Sequence, residues 1–320
     1  MNDQYLLAEL EDKILDSVSS YMDGIKDSYS ILMSGGFDSG LLAAITNPSV
    51  AYRIKFAGGV KYDETRYANA VAKHLSIPLV SLEFGRKEFD ENFEEAVKIM
   101  GEPVSHFSLV PLFYLFKTLK EEGQFHVLSG EGPDEYLGGY ARQIIFDELN
   151  KLYEIPELRG YHKIIDEQIR VHNRYGLIYK YGTMMGYEKE DMDKYIDAWA
   201  LDIYSLQGAI GKMDMECGVI EKMELKFAKH FGITLHYPYI NDEFAEYCYK
   251  LPDRLKIRDG VTKWGFRQIC KKYLPEFIMD RSKLGGPVFA VNKVMGWMEN
   301  GEFDKTIYIK KQKEILNEKD

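Results

Sequence analysis

Cysteine is scarce in this 320-residue chain, with only Cys217, Cys248 and Cys270. An odd number at scattered positions suits neither a disulfide framework nor a zinc-ligand set, and implies reduced structural thiols in a cytoplasmic protein. Positive charge is also short. Lys and Arg number 41 against 51 Asp and Glu, for a formal net charge of −10, and the pI is near 5.4. Such a surface has no general attraction for nucleic acid or an anionic membrane. No apolar run is long enough to span a bilayer, and Met1-Asn2-Asp3-Gln4 lacks the basic start and apolar core of a secretory leader. Repeats and low-complexity tracts are missing too. These absences point to a small-molecule enzyme with neither nucleic acid nor membrane as partner. The length allows one large domain or two smaller ones.

What is present centres on Ile31-Leu32-Met33-Ser34-Gly35-Gly36-Phe37-Asp38-Ser39-Gly40. Tyr29 to Met33 reads as a buried parallel strand and Leu41 to Ile45 as the start of a helix, so the glycines and hydroxyls fall on the turn between them. Gly35 and Gly36 let the backbone approach an oxyanion, Ser34 and Ser39 offer hydroxyls, and the helix N-terminus adds partial positive charge. Asp38 would repel phosphate unless a hard cation lay between, which implies Mg²⁺ bridging it to a polyphosphate. The Gly-Lys-Ser/Thr ending of a Walker loop is absent.

Leu6, Leu7, Leu10, Ile14, Leu15 and Val18 recur at helical spacing, so a helix near residues 3–25 is expected as a cover for the sheet. Further strands are expected at Ala51–Ala57, Pro78–Phe84 and Phe125–Leu128, with helices from about Thr65 to His74, Glu88 to Met100 and Val110 to Lys120. Alternating strands and helices imply right-handed crossovers and an α/β fold with a doubly wound parallel sheet. Ligands on such sheets sit beyond the carboxyl ends of the strands.

A second glycine-rich turn follows the last of these strands, at Ser129-Gly130-Glu131-Gly132-Pro133-Asp134-Glu135 with Gly138-Gly139-Tyr140. Three carboxylates in one tight segment need a cation or a proton to balance them. Asp134 is the second candidate Mg²⁺ ligand, and Glu131 the candidate base or acceptor for a reacting nucleophile.

Together with Tyr62-Asp63-Glu64-Thr65-Arg66-Tyr67-Ala68, Tyr237-Pro238-Tyr239-Ile240-Asn241, Lys263 with Arg267, and Arg281-Ser282-Lys283-Leu284-Gly285, these motifs resemble in order the synthetase domain of asparagine synthetases, nearly end to end. The resemblance implies an adenine nucleotide α-hydrolase-like sheet with a large C-terminal helical part. Residues 1–146 would form the nucleotide-binding core, and 147–320 a mainly helical substrate and closure region of the same domain. It implies ATP and Mg²⁺ as cofactors and attack of a carboxylate on the α-phosphate, giving an acyl-adenylate and pyrophosphate, then acyl transfer to ammonia or an amine. Met33, Ser34 and the backbone near Lys55 would line the adenosine pocket with Ser129 and Gly130, and Lys283 would be a mobile-loop lysine meeting charge that develops in the reaction. Asparagine synthetases carry Glu at the Glu131 position and β-lactam synthetases Tyr, which sides with intermolecular amidation.

Two departures stand out. No glutaminase domain precedes the synthetase part, so free ammonia, a separate glutaminase or biosynthetic partner protein, or an organic amine is expected as nitrogen source. The family's Glu-x-Arg-x-Pro-Phe-Leu-Asp is here Thr234-Leu235-His236-Tyr237-Pro238-Tyr239-Ile240-Asn241, and its usual upstream Asp is not obvious, although Glu221 and Glu224 are near. The identity of the small-molecule carboxylate is therefore open. Competing readings are an intramolecular, β-lactam-type or peptide macrolactam synthetase, and a non-catalytic nucleotide-binding regulator. The Tyr-rich stretch from about Asp147 to Gly232 reads as helical core, pocket lining or interface.

Overall fold

The computed structural model describes residues 2–57, 64–169, 171, 173–217, 220–279, 298–299, 302–303 and 305–317. In chain order its main elements are α1 (Asp3–Met22), β1 (Ser30–Leu32), α2 (Phe37–Thr46), β2 (Val50–Phe56), α3 (Thr65–Leu75), β3 (Leu79–Phe84), α4 (Arg86–Met100), α5 (Leu109–Glu121), β4 (His126–Leu128), α6 (Pro133–Tyr136) and α7 (Ala141–Glu154). There follow α8 (His162–Ile169), α9 (Gly176–Met185), α10 (Lys189–Ala200), α11 (Leu206–Cys217), α12 (Ile220–Phe231), β5 (Thr234–His236), α13 (Asp242–Lys250), α14 (Asp253–Lys256), α15 (Trp264–Cys270) and α16 (Lys305–Asn317). No helix among the described residues is long and apolar enough to cross a membrane.

Contacts gather the chain into two compact units. The sheet unit comprises Met22–Gly130, Val219–Pro238 and Tyr273–Asp320, and the helical unit Met1–Tyr21, Glu131–Gly218 and Tyr239–Lys272. In the sheet unit five strands lie in the order β3-β2-β1-β4-β5, and every pairing is parallel. The chain winds outward from β1 to β3, then restarts at β4 on the other side of β1, which makes the fold doubly wound with its switch point between β1 and β4. Ile31, Val127 and Leu128 are fully buried, as central parallel strands covered on both faces require. Leu41 and Leu42 of α2 are equally buried. In α4, Phe89, Ala96, Val97 and Met100 supply the buried stripe, and the Glu88 carboxylate accepts from Gly85 N–H at 2.8 Å to close the first turn.

One strand of this sheet was not expected from sequence. The fifth strand is only three residues long with one apolar position, too short to stand out by pattern. It nevertheless adds to the sheet edge beside β4. Helix α1 groups with the helical unit. Asp3 accepts from Arg254 Nε at 3.0 Å and Arg258 Nη2 at 2.5 Å, and Lys13 pairs with Glu243 at 2.7 Å.

The Tyr-rich stretch builds the core of the helical unit, where Phe146, Tyr181, Tyr195 and Trp199 pack with Leu177 and Met213. Lys256 is fully buried there, its ammonium donating to Ser205 Oγ at 2.7 Å and to the carbonyls of Leu251 and Tyr249 at 2.9 and 3.2 Å. Those acceptors tie the end of α13 to the start of α11 and offset the desolvation that pushes the lysine pKa down to about 8.

Candidate functional site

In the sheet unit, the loop after β1 and the loop after β4 flank the switch point. Met33 continues β1, is 1% exposed and donates its N–H to Tyr52 O at 2.8 Å. Ser34 then turns outward, its Oγ accepting from Gly36 N–H at 3.1 Å and lying 3.5 Å from Ser39 Oγ. Gly35 has φ +82°, and a Cβ there would stand 2.4 Å from the backbone nitrogen of Ala68, so α3 closes directly on this loop. Only glycine fits both the dihedral and the space. Gly36 leads into α2, with half-buried Asp38 in the helix's first turn and Ser39 6% exposed.

The second loop meets the first at backbone distance. A Cβ on Gly130 would lie 2.8 Å from Ser39 N and 3.0 Å from Ser39 Cα. Ser129 is buried and fixed on two sides: its N–H donates to His236 O at 2.8 Å, and its Oγ is 3.4 Å from Glu224 Oε2. Tyr237 Oη donates to the same Glu224 oxygen at 3.0 Å. Glu224, noted only as a neighbour of the altered motif in sequence, is thus a buried carboxylate holding the nucleotide-side loop. The Lys55 ammonium pairs with Glu83 at 2.8 Å.

His236 also faces His126 across β4 and β5, with ring nitrogens 3.1 Å apart. Burial first, and the neighbouring His126 second, push its pKa below the usual histidine value. His126 Nε2 lies 3.5 Å from the exposed Asp27 carboxylate.

The helical unit begins with the acidic part of the second turn. Glu131 is half-buried. Asp134, in the short helix α6, accepts an ion pair from Lys263 Nζ at 2.6 Å, and Lys263 is 3% exposed. Lys263 holds a left-handed backbone, φ +51°, and donates its N–H to Gly138 O at 3.3 Å. A Cβ on Gly139 would meet Asp134 Oδ1 at 1.9 Å, so a glycine here lets the chain pass over this carboxylate. Tyr140 donates to Glu135, and burial followed by the Glu135, Asp134 and Glu131 carboxylates raises its pKa. Lys263 had no assigned role in sequence. Its place beside Asp134 depends on a fold contact that only the Lys263-Arg267 spacing could have hinted at.

Lys283, with Arg281 and Gly285, lies outside the described residues. Among those described, no group of three or more His, Cys, Asp or Glu gathers as a metal site. Mg²⁺ is commonly held by one or two carboxylates with substrate phosphates and water completing its shell.

Comparison with known proteins places this geometry. The asparagine synthase family model matches residues 9–208 and 215–312. The chain is 24% identical to asparagine synthetase [glutamine-hydrolyzing] 1 of Bacillus subtilis, covering 92% of this chain and 52% of that protein. It is 24% identical to a putative asparagine synthetase [glutamine-hydrolyzing] of Mycobacterium tuberculosis, over 96% and 51%. Asparagine synthetase B [glutamine-hydrolyzing] of Escherichia coli is 28% identical over 41% of this chain and 27% of its own length. The chain spans about half the length of the first two relatives. With its doubly wound sheet, its paired glycine-rich loops and a family match over most of its length, the chain belongs to the asparagine synthase family.

Proposed function

We propose that the chain is an ATP-dependent, AMP-forming carbon–nitrogen ligase that adenylates a small-molecule carboxylate and passes the acyl group to ammonia or an amine. The observation that carries this is the meeting of the two loops at the switch point, where Gly130 lies against the Ser39 backbone and Gly35 against Ala68. A glycine-lined crevice at the N-terminus of α2, without a Walker lysine, suits a triphosphate whose α-phosphate stays open to attack. Met33, Ser34 and the Lys55 backbone, with Ser129 and Gly130, are assigned to adenosine and its phosphates. Gly35, Gly36 and Ser39 are assigned to the phosphates.

The carboxylate oxygen bonds to the α-phosphorus as the bond to the bridging oxygen of pyrophosphate breaks. The nitrogen nucleophile then adds to the acyl carbon, loses a proton, and AMP departs. Asp38 and Asp134 are the residues to hold Mg²⁺, which when bound supplies charge neutralisation for the pyrophosphate. Lys263 pairs with Asp134 and holds it in place. Lys283 is assigned to the developing charge. Glu131 is assigned the base role, accepting the proton from the attacking nitrogen. A separate glutaminase or another biosynthetic protein as nitrogen supplier belongs to the same proposal.

ATP–pyrophosphate exchange over a panel of carboxylic acids tests this reading, with mass spectrometry of products when ammonia or amines are added. Acid-dependent exchange and an amide product are expected; no exchange with any acid would favour a nucleotide-binding regulator. Glu131→Gln should keep the exchange within about threefold while slowing amide release about 10²-fold, the usual worth of a positioned base. Equal loss of both half-reactions would make Glu131 a structural residue.

A further inference from the structure

From the end of α7 through α8 the helical unit carries a stretch with no interior. Residues 151–169 include no buried residue, and neither the short turn Pro156–Tyr161 nor α8 contributes to a core. The stretch is nevertheless rich in apolar side chains. Leu158, Ile165 and Ile169 are only half-covered, and Ile155, Tyr161 and Ile164 stay 38, 58 and 54% exposed. A helix as short as α8 is not stable alone in water, and most helical stability comes from burying an apolar face. Here the outer apolar face has nothing over it within the helical unit, so it is a face made to be covered.

The charges beside that face indicate what covers it. On α8 the exposed positions are Lys163, Ile164, Glu167 and Gln168, which continue the line begun by Tyr161. Lys163 and Glu167 are four residues apart and so share one flank of the helix, the cation toward its start and the anion toward its end. Among the described residues neither makes a hydrogen bond or an ion pair. Two copies of α8 laid antiparallel about a two-fold axis near Ile165 set this flank against itself in reverse. Each Lys163 then meets the partner's Glu167, and Tyr161 and Ile164 lie along the same seam. A different protein would have to supply that reversed pattern, whereas a second copy of this chain has it already. With a formal net charge of −10, two copies repel over most of their surface, so a contact between them belongs where cations meet carboxylates.

We propose that the outer face of α8 and the turn before it is a self-association surface, through which two copies pair by antiparallel α8 helices. Tyr161 and Ile164 form its apolar centre and the Lys163–Glu167 pairs its flank. The stretch supplies about the 20 residues a side of the smallest standard interfaces, so the dimer is a weak one. Every residue named lies in the helical unit, and the surface is independent of the ligase assignment.

Sedimentation equilibrium of the whole chain at rising concentration tests it. The wild type should pass from monomer to dimer. Ile164→Glu, which sets a carboxylate into the seam of each copy, should weaken the dimer at least about tenfold, and K163E and E167K should each do the same by opposing like charges at two symmetry-related places. Mixed in equal amounts, K163E and E167K should dimerise again, as should the double variant K163E/E167K by itself, because opposite charges then meet across the axis. An effect confined to one helix would give no such rescue on mixing. These side chains are exposed, so circular dichroism and the thermal midpoint should match wild type. Should Ile164→Glu fail to fold, the charge series decides alone. Single reversals that dimerise as the wild type does, or a mixture that stays monomeric, would overturn the proposal. A wild type that is monomeric at every concentration would overturn it too, and would leave the face to a different protein.

Discussion

The sheet unit and the helical unit hold their polar groups by different means. In the sheet unit the contacts are short-range or between neighbouring strands: Ser34 with Gly36 and Ser39, Ser129 with His236 across β4 and β5. Backbone proximity does the positioning, and glycine is the decisive residue. In the helical unit the partners are charged side chains from distant parts of the chain, Asp134 with Lys263 and Arg142 with Asp214, the latter 72 residues apart. There, ion pairs fix the geometry. A loop made by backbone approach tolerates almost no added volume, whereas a paired charge tolerates volume but not loss of its partner.

The largest effect is expected where the first rule is strictest. Gly35→Ala places a Cβ 2.4 Å from the Ala68 nitrogen at φ +82°. Overpacking and a disfavoured dihedral together should cost about 2–4 kcal/mol of stability in the sheet unit. ATP-dependent exchange should fall beyond detection, as thermal melting and exchange assays would show. A well-folded, active Gly35→Ala protein would break the comparison, because backbone closure would not then be what forms the loop.

Next comes the charge rule. Lys263→Met leaves Asp134 beside a missing cation in a mostly buried place, which should cost about 3 kcal/mol. Adding Asp134→Asn should recover more than half of that in denaturant melts, since the orphaned charge is the main penalty. A double variant as unstable as the single one would mean that lysine packing, not charge, is what the fold needs.

The smallest effect sharpens the sheet side. His236 has its pKa lowered in the folded state by burial and then by His126, so the fold favours its neutral form. With Asp27 beside His126, the contribution of His236 is present above the ordinary histidine value of 6.5 and is lost as pH falls through the lower folded value. Stability should therefore decline on the acid side of neutrality, and His236→Asn should flatten that decline. Titrating the melting midpoint from pH 7.5 downward checks it. An identical acid slope in the variant would assign the decline to other groups.

The chemistry on the sheet side was legible from residue order. Ser34, Gly35, Gly36, Asp38 and Ser39 sit on one strand-to-helix turn, and Ser129 and Gly130 on another, so alternation of strand and helix suffices to send both to the same end of the sheet. Other features were not legible. Nothing in Thr234-Leu235-His236 announces a strand, and the apolar stripe of α1 does not say which surface it covers, since any apolar face would satisfy it. Lys263 and Arg142 read as ordinary charged residues until their partners are known.

By itself, then, the sequence determined the parallel sheet, its two glycine-rich turns and the family to which they belong, because these follow from local periodicity and from the backbone freedom of glycine. Only the tertiary structure decided that Gly130 rests on Ser39, that Glu224 holds Ser129, that Lys263 guards Asp134 and that Arg142 pairs with Asp214. Those arrangements depend on which distant side chains share a buried space, where desolvation makes every unpaired charge costly and so dictates the pairing. No local pattern in the chain carries that information.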